Sequence, residues 1–381
     1  MKHLTLGGSN APRLMVCTAW PSRSKNIPKQ PGNIHAHTGN LNHDRMEEFY
    51  MEGTPFAQQL EEGREYEGVH LTQDMVDELL IPALKMMEEL LDKYDIDSYL
   101  CEPFVQIIVD VAGGSIDFIG MSANGKTVIL IDYKFGRIAV PATTPQLKFY
   151  AVAARTDKLT RDMFDNAERI VYAIIQPKVS HTAQVHESTP VELTAFEDTL
   201  MAKIEEALGD NPTAKPGPHC RYCPVGGAGQ CPEKNAQVRS ALLLNPKHAD
   251  QLVEALNLLD EISSWVKEVE GCAHNMLRQG AQLPGYKLVE KRAQRKWQDP
   301  TTAQNVITEL LGDQAWEHKF RTPAQIEKLI KKAELSFDVE LDTLTTKQST
   351  GTTVVRDSDK REAVTVPEIS DALNKLVASS A

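Results

Sequence analysis

The chain has 381 residues, enough for two or three domains of ordinary size. Its 41% hydrophobic and 25% charged content is globular usage and excludes wholesale disorder, collagen and coiled coil. With 41 Lys and Arg against 53 Asp and Glu the net charge is −12, which excludes coating of nucleic acid by bulk electrostatics. Contact with DNA then requires a local basic patch, or metal ions that bridge carboxylates to phosphate.

The first fifteen residues lack the apolar centre of a signal peptide, and no apolar run approaches the roughly 18 residues of a membrane span. The expectation is a soluble cytoplasmic protein with no membrane partner. Residues 1–38 are rich in Gly, Pro, Ser and Asn, with one apolar patch, Leu14 to Ala19, around Cys17. Leu41, Met46, Phe49 and Tyr50 predict a helix from Asn40 that places His43 and Glu47 on one face. A second helix is predicted over 72–93, with Thr72 as N-cap, an apolar stripe from Leu79 to Leu91, and a kink at Pro82. Strands follow at Phe104 to Val111, Ser115 to Met121 and Thr127 to Phe135. Gly113-Gly114 is read as a breaker between the first two, and Asn124-Gly125 as a hairpin turn before the third. Gln146 to Ala154 reads as a helix, Arg169 to Gln176 as a fourth strand, and about 195–208 as a further helix. This order is an α/β sandwich with a mixed sheet. Residues 247–279 are predicted helical, with Leu252, Leu256, Leu259, Ile262 and Val266 as the stripe. Further helices are predicted at 300–312, 322–334 and 367–378. The organisation expected is a core over 1–212, a cysteine loop over 213–240, a mainly helical module over 241–345 and a polar tail over 346–381.

The most informative residues are Asp117, Asp132 and Lys134. Period two sends the Asp132 carboxylate and the Lys134 ammonium to one face of their strand and Tyr133 to the other. The Asn-Gly turn allows Asp117 to lie beside Asp132. Two adjacent, partly buried carboxylates repel, and a hard divalent ion such as Mg²⁺ or Mn²⁺ relieves that repulsion. Asp132 follows the apolar run Val128 to Ile131, where an unpaired carboxylate is costly. On the next helix Gln146 and Tyr150, four residues apart, can face the same place. The bland alternative is a strand-end ion pair on a solvated face.

Gly114-Ser-Ile-Asp117, Asp132-Tyr-Lys134, Gln146-x-x-x-Tyr150 and the earlier Gly39-Asn-Leu-Asn-His43 together resemble the PD-(D/E)XK nuclease superfamily, in its RecB-like branch. The resemblance implies a restriction-endonuclease-like core with a mixed central sheet flanked by helices. It implies that His43, Asp117, Asp132 and the carbonyl of Tyr133 ligate Mg²⁺ or Mn²⁺. Lys134 would be the catalytic lysine, with Gln146 and Tyr150 on the helix that contacts DNA or the site. Glu102 matches an acidic position seen in that branch; its bland reading is a strand-cap salt bridge. One departure is that the second acid is Asp where many members carry Glu.

Three of the six cysteines form Cys220-x₂-Cys223-x₇-Cys231, a thiol-rich loop with prolines and glycines that suits metal ligation. Cys17, His219, Cys272 and Cys101 are candidates for a fourth ligand. The resemblance favours Cys17, because iron–sulfur RecB-like nucleases take one cysteine before the core and three after it. It thereby implies a [4Fe–4S] cluster; zinc in a Cys₄ or Cys₃His site is the alternative. Cys101 and Cys272 read as small buried hydrophobes.

The dense basic segment is 286–297, where Lys287, Lys291, Arg292, Arg295 and Lys296 fall within ten residues between Tyr286 and Trp297. It suits phosphate neutralisation and base stacking on single-stranded nucleic acid, or else a hairpin with a solvated basic face. This extension resembles an uncharacterised family of phage and prophage proteins, which implies a role in DNA replication, recombination or degradation alongside other phage proteins. The function expected is a metal-dependent DNA exonuclease, with oligomerisation open. The alternative is a catalytically silent nuclease fold kept as a DNA-binding scaffold.

Overall fold

All seven residues of the strand Thr127–Tyr133 are buried, so this segment must have neighbours on both edges and cover on both faces. The computed structural model, which describes residues 4–27, 34–227, 229–245, 247–278 and 280–287, supplies both. These residues belong to one compact unit, Met1–Val289. The helices predicted at 300–312, 322–334 and 367–378, the tail 346–381, and Lys291, Arg292, Arg295, Lys296 and Trp297 lie outside the described residues.

In chain order, the short helices α1 (Ala11–Leu14) and α2 (Trp20–Ser24) precede α3 (Ile34–Glu52) and α4 (Phe56–Glu61). A two-stranded hairpin, β1 (Glu65–Tyr66) and β2 (Val69–His70), leads to α5 (Gln73–Met75) and α6 (Ile81–Lys93). Strands β3 (Ile96–Cys101), β4 (Phe104–Ile108), β5 (Ala112–Ser115), β6 (Phe118–Ser122) and β7 (Thr127–Tyr133) follow. Then come α7 (Pro145–Thr156), β8 (Arg169–Ile175), β9 (Gln184–Ser188) and α8 (Pro190–Leu208). Helices α9 (Pro224–Gly227), α10 (Pro232–Ala241) and α11 (Ala249–Arg278) are the last elements among the described residues.

The protein is mixed α/β. Its main sheet has the order β3-β6-β7-β8-β9, with β7 and β8 parallel and the other neighbours antiparallel. Strand alternation divides the core. Val128 and Leu130 of β7, with Ile170 and Tyr172 of β8, pack on one face against α7 and α8. Ile129, Ile131, Val171 and Ala173 pack on the other face with Leu41 and Met46 of α3 and Leu79 to Leu90 around α6.

The hairpin turn at Asn124-Gly125 is present, with Gly125 at φ +69°, a conformation glycine adopts without strain. Thr72 caps its helix as expected by accepting from the amide of Met75. The next five residues, Val76–Leu80, form a π-helical turn just before Pro82. That widening accommodates a ring that has no N–H to donate.

Four expectations need correction. Strand β4 stops at Ile108 instead of Val111, and the stretch read as one strand from Ser115 is two, broken at Ile116 and Asp117. Gly113-Gly114 is not a breaker but part of β5, paired with β4. A Cβ on Gly113 would stand 2.4 Å from the carbonyl oxygen of Val105, so glycine lets the two backbones close. The edge strands β3 and β9 were not foreseen, because solvent on one side gives them mixed polarity. The stripe expected to bury α11 is half-exposed instead, with Leu252 at 40% and Leu259 at 50%.

Candidate functional site

Strand β7 ends where its apolar run ends, and the polar residues that follow open onto a cleft at its carboxyl end, the usual place for ligands in sheets with parallel strands. Asp132 is 3% exposed. One of its oxygens, Oδ1, accepts from Gln146 Nε2 of α7 at 2.7 Å, and the other, Oδ2, lies 2.6 Å from Lys134 Nζ. Tyr133 turns into the opposite core, as its parity requires.

Asp117 occupies the break between β5 and β6. The last paired residues are Phe118 and Ile131, so Asp117 falls next to Asp132 one step further along the ladder. Its Oδ2 accepts from the backbone N–H of Tyr133 at 2.8 Å and meets His43 Nδ1 at 3.2 Å. His43 comes from α3 in the other layer, with its ring edge-on to Tyr133 and Phe135. The sequence-predicted His43, Asp117, Asp132, Lys134, Gln146 and Tyr150 therefore all line one cleft of about 940 Å³.

The charges in this cleft shape one another. Burial pushes the Asp132 carboxyl up, and the neighbouring Asp117 adds to the rise. Burial opposes ionisation of Asp117 too, but His43, Lys134 and the Tyr133 amide outweigh it and hold the carboxyl below its ordinary value. Burial alone would lower His43 and Lys134; the facing carboxylates reverse both, so His43 and Lys134 are raised.

Glu102 completes the group. It sits in the turn between β3 and β4 at φ +50°, a left-handed conformation that a non-glycine residue adopts only under constraint. Its N–H donates to the carbonyl of Asp117 at 3.2 Å. Burial and the charge of Asp117 push the Glu102 carboxyl up to about 8. Among the described residues, ligand atoms of His43, Glu102 and Asp117 all lie within 4.8 Å of one another, the spacing that a bound cation needs.

Sequence reasoning missed two supports. Gln176, 2% exposed at the end of β8, donates to the carbonyls of Gly136 and Ile138 and accepts from the amide of Val140. It pins the loop that follows Lys134. The other is the N-terminal segment, whose place beside the cleft its Gly, Pro, Ser and Asn content does not reveal. Leu6 bridges to Ala112 in β5, and a Cβ on Gly8 would meet the ring of Tyr150 at 2.4 Å. Residues 4–27 are thus a wall of the cleft.

Behind that wall, Cys17, Cys220, Cys223 and Cys231 line a second, small cavity together with His219. Cys220 and Cys223 are buried, Cys17 and Cys231 half-buried, and none is disulfide-bonded. The amides of Thr18 and Ala19 both donate to the carbonyl of Thr213, which brings Cys17 to the loop. Arg23 of α2 makes a two-pronged ion pair with Glu233 of α10, two residues after Cys231. Burial raises the Cys220 and Cys231 thiols, so without a metal they hold their protons. Cys101 packs against the core beside α3 and α6, and burial pushes its thiol up to about 12. Helix α10 is tied to α11 by Lys234, 1% exposed, whose ammonium is paired with Glu268. Of the basic segment, Lys287 is described, and it is exposed. Among the described residues no helix is long and apolar enough to cross a membrane.

Fold and site define a mixed α/β protein with a carboxylate–lysine cleft and a separate four-thiol cavity. Residues 3–362 match the family described as "Protein of unknown function (DUF2800)", and the chain belongs to that family. Among solved structures it is similar to one titled "Crystal structure of SSO0001". The two are 14% identical over 56% of this chain and 94% of that one, with a TM-score of 0.23.

Proposed function

We propose that the protein is a metal-dependent deoxyribonuclease of the PD-(D/E)XK type, acting as an exonuclease. The observation that carries this reading is the convergence of Asp117, Asp132 and Lys134 with Gln146 at the carboxyl end of β7, inside the cleft of about 940 Å³. A pure scaffold has no use for two buried acids facing a phosphate path, whereas hydrolysis does.

The donor set is oxygen-rich with one imidazole, which fits Mg²⁺ or Mn²⁺. His43, Asp117, Asp132 and the carbonyl of Tyr133 would hold the ion, with Glu102 beside them, and the bound ion would polarise the phosphate and acidify a water. Lys134, kept protonated by the two acids, offsets charge building on the phosphoryl oxygens and orients the attacking water. Gln146 holds Asp132 in the orientation that leaves its second oxygen toward Lys134. The exonuclease assignment follows the resemblance to the RecB-like branch, as does a place in phage DNA replication, recombination or degradation.

The second cavity is lined by four thiols and no carboxylate, soft ligands that suit an iron–sulfur cluster or zinc. We assign it a [4Fe–4S] cluster with a structural role, held by Cys17, Cys220, Cys223 and Cys231.

The test is digestion of linear DNA, 5′- or 3′-labelled and single- or double-stranded, with Mg²⁺ or Mn²⁺ and beside Lys134→Ala. Time-dependent loss of label from an end by the wild type, absent in the variant, supports the reading. Equal behaviour of the two proteins overturns it.

A further inference from the structure

One wall of the cleft takes no part in the proposed hydrolysis. It is built from two stretches far apart in sequence, the N-terminal segment and the cysteine loop. Arg13, Lys25, Arg221 and Tyr222 all line the cleft that holds Asp117. Arg13 joins the two stretches: its guanidinium lies 4.8 Å from the centre of the Trp20 ring and donates to the carbonyl of Tyr222 at 2.5 Å.

Tyr222 itself is unusual. The residue is 65% exposed although its neighbour Cys223 is buried, and the Arg221 guanidinium lies over one face of its ring, 5.5 Å from the centre. In a chain of net charge −12, three cations and an open aromatic face on one wall of an acid-floored cleft form a local exception. Cations suit phosphates, and an open ring suits a base that has left its stack. A duplex offers the first and withholds the second.

We propose that this wall is a guide for a single-stranded DNA end. Tyr222 stacks one unpaired base, and Arg221 takes a flanking phosphate, which presents the next phosphate to Asp117 and Asp132. The proposal rests on the nuclease reading and adds to it the form of the substrate and the residues that select it.

Binding without turnover tests it. Fluorescence anisotropy is measured with the intact protein, Ca²⁺ in place of Mg²⁺, and a fluorescein-labelled oligothymidylate of about 12 nucleotides, beside a blunt duplex of the same length. Tyr222→Leu, which fills space without a stacking face, is expected to weaken single-strand binding by about 5- to 100-fold. Tyr222→Trp should restore it. Arg221→Ala should flatten the slope of log affinity against log salt by about 0.7, one phosphate contact on a single strand. Visible absorption and thermal melting should match the wild type in Tyr222→Leu and Tyr222→Trp. Wild-type affinity in Tyr222→Leu, a loss that Tyr222→Trp does not recover, or an equal loss on the duplex overturns the proposal. A wild type that shows this binding pattern and digests nothing fails as a nuclease while the guide stands. Digestion without the pattern removes the guide alone.

Discussion

Asp117 binds the backbone amide of Tyr133 at 2.8 Å, the residue that separates Asp132 from Lys134. One acid is thereby fixed by the main chain of the strand that carries the other acid and the amine. The donor is main chain, so the Asp117 carboxylate is tethered to the strand that bears the other two groups as long as β6 and β7 stay paired.

Lys134→Ala should lower DNA hydrolysis by at least about 100-fold. It should also leave Asp132 buried beside Asp117 without its cation, at a cost of about 3 kcal/mol in metal-free protein. Millimolar Mg²⁺ or Mn²⁺ is then expected to raise the melting temperature of the variant more than that of the wild type. Thermal melts with and without the ion check this.

Glu48 anchors the helix that presents His43. It is nearly buried, accepts from Arg45 at 2.5 Å and from Arg64 at 2.6 Å, and the Arg64 bonds hold its carboxyl below the ordinary value. A carboxyl depressed in the folded state stabilises above its unfolded pKa, near 4.5, and that contribution disappears as pH falls through the folded value. Glu48→Gln should therefore destabilise at pH 7, by about 1 kcal/mol, since Arg64 is solvent-accessible and water screens the pair. The gap from the wild type should narrow in denaturant melts taken at successively lower pH below about 4.5.

The thiol cavity predicts a division among the six cysteines. Serine at 17, 220, 223 or 231 should remove most of the iron and the broad brown absorption from anaerobically purified protein. Serine at 101 or 272 should leave both intact. A colourless wild type that contains zinc would replace iron with zinc and keep the same four ligands.

Gly8 is a slot for Tyr150. Gly8→Ala forces a methyl to within 2.4 Å of the ring and should destabilise by about 1–3 kcal/mol. Truncating the ring in Gly8→Ala/Tyr150→Ala should make the combined cost smaller than the sum of the single costs. A double-mutant cycle from urea melts measures the difference.

The acid and lysine positions were legible because they obey a local rule: two residues flanking Tyr133 must share a face, and an Asn-Gly turn folds the preceding strand back. The thiol triplet was legible from spacing alone. Glu102 was visible as a residue but not as a neighbour of Asp117, because a left-handed turn brings it there and nothing in Cys101-Glu102-Pro103 demands that conformation. Gln176 looked like the end of a strand, and its three bonds depend on a loop forty residues earlier. The N-terminal wall was the largest omission. Its Gly, Pro and Ser content carries no periodic pattern, and only contacts with Ala112 and Tyr150, more than a hundred residues away, show that those small residues permit close packing. Long-range packing of that kind leaves no periodic trace.

The bonds that close this wall, Thr18 to Thr213 and Arg13 to Tyr222, join residues 195 and 209 positions apart. At ribosomal speeds of about 5–20 residues per second, Arg13 and Thr18 wait roughly 10–40 s for their partners to be synthesised. A nascent chain therefore exposes its acidic floor with one side open until residues 213–222 have been made.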